Sequence, residues 1–112
     1  MDIYYRSRKL QKTCDSQPES NRVWGDQIAA VVRRRLKELA AAATLAEVSH
    51  LPPARCHQLV GNRAGQFAVD LKHPHRLVFE IAHDPVPRRP DGGIDLARVT
   101  AVVILAVEDY HG

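Results

Sequence analysis

The hydrophobic period of this chain changes once, near Leu51-Pro52-Pro53, and that switch limits the folds open to it. Before it, Trp24, Ile28, Val31, Val32, Leu36, Leu39, Ala40 and Ala43 recur at three- and four-residue steps. Such spacing draws one apolar stripe along a helix, and Arg33, Arg34, Lys37 and Glu38 fall on its other side. After the prolines the period becomes two. Phe67, Val69 and Leu71 alternate with Ala68, Asp70 and Lys72, and Leu77, Phe79 and Ile81 alternate with Arg76, Val78 and Glu80. Val99 to Val107 is almost wholly apolar, as a strand buried on both faces requires. Helices first and strands afterwards predict an α+β fold, with N-terminal helices packed on one face of a twisted antiparallel sheet. The 112 residues suit a single domain spanning 1–112.

The remaining segments fill in around this frame. Residues 2–6 read as a short edge strand, and Ser7 to Cys14 as a short helix with Leu10 and Cys14 on one face. Asp15 to Asn21 reads as a loop rich in turn residues, followed by one long helix from Trp24 to about Ala43. Thr44-Leu45-Ala46-Glu47 has the pattern of a capping box and predicts one further short turn. Leu51-Pro52-Pro53 forces extended chain, because neither proline can donate a backbone hydrogen bond. Arg55 to Val60 predicts a strand, Gly61 to Gly65 its turn, and Asp84 to Asp95 a long mobile hairpin loop.

Composition narrows the class. At 45% hydrophobic and 26% charged residues, the chain is neither collagen-like, mucin-like nor disordered. No apolar run reaches the roughly 18 residues of a membrane span, and the N-terminus has no apolar signal region. A cytoplasmic protein without a membrane partner is expected. Met1 to Lys37 carries nine Lys/Arg against four Asp/Glu, an excess that suits a polyanion or an acidic protein partner as well as a solvated helix. Cys14 and Cys56 have no ligand spacing and are expected as free thiols. His50, Cys56 and His57 fall short of a four-ligand zinc site, so no metal or other cofactor is expected.

The hairpin around Pro74 carries the first chemical hint. A loop of His73-Pro74-His75 would pair Lys72 with Arg76, Leu71 with Leu77, Val69 with Phe79 and Phe67 with Ile81. A one-residue slip would put the two apolar rows on opposite faces. In that register two cations meet across the strands, at a cost of up to about 1 kcal/mol against a neutral pair. They would form a phosphate seat flanked by His73 and His75, unless Asp70 or Glu80 neutralises them diagonally. The end of the chain, Glu108-Asp109-Tyr110-His111-Gly112, adds an imidazole that titrates near neutral pH.

Taken in order, these segments resemble the RelE/ParE superfamily of toxins, specifically its HigB type. The resemblance runs over nearly the whole chain. It rests on the basic helical half, Leu51-Pro52-Pro53-Ala54-Arg55-Cys56-His57-Gln58-Leu59, Gly61-Asn62-Arg63-Ala64-Gly65-Gln66-Phe67-Ala68-Val69, His75-Arg76-Leu77-Val78-Phe79-Glu80 and Asp109-Tyr110-His111.

What the resemblance implies is a ribosome-dependent mRNA endoribonuclease held inactive by a cognate antitoxin of the helix-turn-helix type. Such toxins use no metal: the RNA's own 2′-OH attacks the adjacent phosphate. Arg76 matches a family arginine position and would stabilise the phosphorane charge, with Lys72 beside it. His111 matches the terminal catalytic histidine and would act as general acid, and Tyr110 would orient or stack on the substrate. Arg63, His75 and Asp109 would contact RNA or steady the tail. The chain departs from the family in having Lys72 for an arginine, Val60 for a lysine and His75 for an aromatic. The same fold also serves gyrase-binding toxins of the ParE kind and catalytically weak RNA- or antitoxin-binding relatives, neither of which needs His111.

Overall fold

The computed structural model describes residues 1–48 and 54–109, and these form four α-helices and a five-stranded sheet. Strand β1 (Asp2–Tyr5) is followed by helices α1 (Arg8–Asp15), α2 (Gln17–Trp24), α3 (Asp26–Ala41) and α4 (Leu45–Val48). Strands β2 (His57–Gln58), β3 (Gln66–Asp70), β4 (His75–Ile81) and β5 (Ala101–Asp109) complete the order. In space the sheet runs β1-β5-β4-β3-β2. The α+β arrangement expected from the period switch is present. The sheet is antiparallel from β2 to β5 and mixed overall, because β1 pairs parallel with β5.

Local chemistry sets the helix boundaries, and two of them differ from the sequence reading. The segment 15–21 is not a loop: Asp15 ends α1, Ser16 joins the two helices, and residues 17–21 begin α2. Ser16 caps it by accepting from the Glu19 N–H at 3.2 Å, and Pro18 sits in its first turn, where a missing N–H costs nothing. The residues that favour turns are also those that begin helices. Trp24 then closes α2, and Gly25 at φ +82° separates it from α3. In place of the expected box on Thr44, the Glu47 carboxylate accepts from the Ala43 N–H, one residue earlier, at 2.8 Å.

One apolar face of the helical layer covers one face of the sheet. Val32 and Leu39 of α3 and Leu45 and Val48 of α4 pack with Phe67, Val69, Leu77, Phe79, Val102 and Ile104. Phe67 and Phe79 stack at a centroid distance of 5.8 Å. Burying each such side chain stabilises the fold by about 1.5–3 kcal/mol. Among the described residues the other face carries a smaller cluster of Leu59, Ala68 and Val78, with Leu105 beside it.

The β3–β4 register corrects the expected one. Val69 lies opposite Leu77, Phe67 opposite Phe79 and Asp70 opposite Arg76. Leu71 and His75 close the turn, the Leu71 N–H donating to the His75 carbonyl at 3.1 Å. The observed pairing is offset by two residues from the one drawn above. A two-residue offset leaves every apolar side chain on its original face, so the hydrophobic pattern cannot choose between the two registers. Charge can: the observed one sets Asp70 against Arg76 and separates Arg76 from Lys72.

Three other segments differ in detail. The expected strand at 55–60 pairs only at His57–Gln58. The 84–95 loop is held by its own bonds, including Arg89 N–H to the Gly93 carbonyl at 2.7 Å and a bridge between Arg88 and Ile94. Strand β5 continues through Glu108 and Asp109 instead of ending at Val107, because Arg76 and His75 stand opposite them. The expected extended segment at 51–53 lies outside the described residues.

Candidate functional site

Because side chains alternate along a strand, Arg76, Val78 and Glu80 of β4 point away from the helical layer. On β3 the residues facing the same way are Gln66, Ala68 and Asp70, which stand opposite them. Glu108 of β5 lies opposite Arg76. The short 3₁₀ turn at Gly61–Arg63, entered through Gly61 at φ +68°, brings Arg63 over this end of the sheet. Three side chains from three segments thus converge.

Their geometry is close. Arg63 Nη1 and Arg76 Nη2 approach the same oxygen, Glu108 Oε1, at 2.9 and 2.8 Å. Arg63 Nη2 donates to Glu108 Oε2 at 3.2 Å, and Arg76 Nε donates to Oε1 at 2.9 Å. Arg63 is also fixed by its Nε, which donates to Gln66 Oε1 at 2.7 Å. The side chains of Arg76, Glu108 and Arg63 are 18%, 27% and 35% exposed, so solvent reaches all three. Burial pushes the Glu108 carboxyl up, but hydrogen bonds and charge from Arg63 and Arg76 outweigh this and hold it below the usual range. The three groups together carry one net positive charge.

The other residues singled out from the sequence fall elsewhere or at the margin. Lys72 donates to Gln27 at the start of α3, on the helical side of the hairpin. It therefore does not share the carboxylate that holds Arg76. His75 lies opposite Asp109, and its Nδ1 is a buried ring nitrogen without a hydrogen-bond partner among the described residues. Tyr110 and His111 lie outside the described residues. Asp70 binds Arg55, with Oδ2 at 2.7 Å from the guanidinium Nε.

The basic run Arg33-Arg34-Arg35 is not one surface patch. Arg33 donates to Ser20 Oγ at 3.0 Å and Arg35 is buried against the sheet, which leaves Arg34 exposed.

No family model and no curated protein matches the sequence. Solved structures do share the fold. One is described as a YoeB-YefM complex from Staphylococcus aureus, with TM-score 0.56 and 14% identity, covering 100% of this chain and 98% of that one. Another is a YoeB/ParE toxin from Agrobacterium tumefaciens, with TM-score 0.56 and 9% identity, covering 98% and 99%. The fold is that of the YoeB and ParE toxins.

At such identities the shared property is backbone architecture, and the YoeB/ParE fold by itself assigns no side chain a role. Glu108 is the member of the cluster that sequence reasoning missed. Its signal was faint: the first of two carboxylates that end a long apolar run, which reads equally as the start of a frayed tail. Only the β4–β5 pairing turns it into the shared partner of Arg63 and Arg76.

Proposed function

We propose that this chain is the toxin of a toxin–antitoxin pair, of the HigB type, and that it cleaves mRNA on the ribosome without a metal. The observation that carries the reading is the convergence of Arg63 and Arg76, both reached by solvent, on one face of a YoeB/ParE-like sheet. Both guanidiniums are permanently charged and can offer paired N–H groups to the non-bridging oxygens of a phosphate.

In the proposed reaction the 2′-oxygen attacks the adjacent phosphorus in line. The O2′–P bond forms as the 2′-OH proton passes to solvent, the P–O5′ bond breaks, and a cyclic phosphate and a 5′-OH remain. Arg76 and Arg63 stabilise the extra negative charge of the phosphorane. His111 donates a proton to the departing O5′, and Tyr110 stacks on or orients a base. Support for this assignment comes from β5: Asp109 directly follows Glu108, the partner of the cationic pair, and two further residues span at most about 7 Å. That chain length permits the imidazole to reach a phosphate held by Arg76. Lys72, turned toward α3, serves better as a contact to RNA flanking the scissile position. The partner is a cognate antitoxin carrying a helix-turn-helix.

The test is induction in cells with mapping of new 5′-OH ends on mRNA, beside His111→Ala and Arg76→Ala. Each substitution should reduce cleavage by about 10²-fold or more. Growth arrest that persists in His111→Ala, with no new 5′-OH ends in any arm, would favour a gyrase-binding toxin instead.

A further inference from the structure

We infer that Glu108 is the resting occupant of an oxyanion seat formed by Arg63 and Arg76, and that an RNA phosphate binds by displacing it. The identity of the ligand as an RNA phosphate rests on the endoribonuclease reading; the seat itself rests on geometry.

A carboxylate held by two guanidiniums presents two oxygens about as far apart as the non-bridging oxygens of a phosphodiester. Here each guanidinium offers two nitrogens to Glu108, at 2.8–3.2 Å. The seat persists when the carboxylate leaves, because Arg63 is independently anchored to Gln66 Oε1 and Arg76 is rooted in the middle of the sheet. The occupant can leave, because Glu108 is 27% exposed and its side-chain torsions turn without moving β5. Charge balance favours an exchange over simple addition. Two cations and one carboxylate sum to one positive charge, and replacing the carboxylate by a phosphodiester monoanion preserves that sum. Adding the phosphate with Glu108 in place would set two anions against each other. The carboxylate stays ionised at neutral pH, since its arginine partners hold it below the usual range.

This arrangement makes phosphate affinity a competition. Bound Glu108 lowers the affinity for any single phosphate, so productive binding needs the further contacts that a stretch of RNA supplies. Removing the carboxylate charge should reverse the penalty.

The experiment titrates the full chain with a 2′-O-methyl trinucleotide, which cannot be cleaved, and separately with inorganic phosphate. Wild type, Glu108→Gln, Glu80→Gln and Glu108→Gln/Arg76→Ala are compared. Glu80 is an exposed carboxylate on the same face and outside the cluster, so it controls for net charge alone. Glu108→Gln should bind both ligands on the order of tenfold more tightly than wild type, and the double variant should lose the gain. Glu80→Gln should change affinity by less than about twofold. Unchanged or weaker binding by folded Glu108→Gln, or an equal gain in Glu80→Gln, overturns the inference. Should Glu108→Gln fail to fold, Glu108→Asp replaces it: one methylene shorter, it cannot span both forks and should give a smaller gain in the same direction. A binding gain in a protein that makes no 5′-OH ends keeps the seat and rejects the nuclease. Cleavage without a gain does the opposite.

Discussion

Arg35 donates its Nε to the backbone carbonyl of Asp70 at 2.7 Å, and its side chain is only 5% exposed. This bond ties the middle of α3 to the end of β3, and Glu38 balances the charge at 3.0 Å. It fixes the helical layer against the strand whose last residue lies opposite Arg76. Replacing Arg35 by Met keeps much of the volume but leaves the Asp70 carbonyl without this donor. A loss of about 1–3 kcal/mol in urea unfolding is expected. Arg34→Ala, on the exposed side of the same helix, should stay within about 0.5 kcal/mol. Equal effects of the two substitutions would contradict the buried role of Arg35.

The Glu108 cluster also sets a pH signature. Its folded-state value lies below the ordinary glutamate value of 4.5, because two arginines favour the charged form. In that range the unfolded chain binds more protons than the native one. The contribution of the cluster to stability is therefore complete above 4.5 and disappears as pH falls through the lower folded-state value. Denaturant unfolding from about pH 6 to about pH 3 should show wild type more stable than Glu108→Gln at the upper end, with the gap closing on acidification. A gap independent of pH would mean that Glu108 acts only through packing.

Both thiols should be slow nucleophiles. Burial pushes Cys14, with help from neighbouring Asp15, and Cys56 up to about 11. The thiolate is the reactive form, so at pH 8 each should react with a disulfide reagent roughly a hundredfold slower than an unperturbed thiol. Full reactivity should return in denaturant. Rapid modification of either in the native protein would show that its burial is transient.

The layers are legible in the amino-acid sequence, because periodicity is a local property. A stripe at three- and four-residue steps dictates a helix with one buried face, and alternation dictates strands with a defined inner row. Alternation alone puts Phe67, Val69, Leu77 and Phe79 in one row, and all four lie in the core. Arg63 and Arg76 were legible as cations of interest. Their meeting was not, since it depends on how β5 aligns with β4 and how the turn at 61–63 folds back.

The register, and with it the site, was not legible from the hydrophobic pattern. An offset of two residues preserves every inward side chain, so hydrophobicity is indifferent to it while cross-strand charge is not. That offset exchanged Lys72 for Asp70 opposite Arg76. The β4–β5 pairing then gave Arg76 and Arg63 a common carboxylate in Glu108. Contacts between segments 32 and 45 residues apart are set by packing the whole sheet, and no short window of sequence contains them.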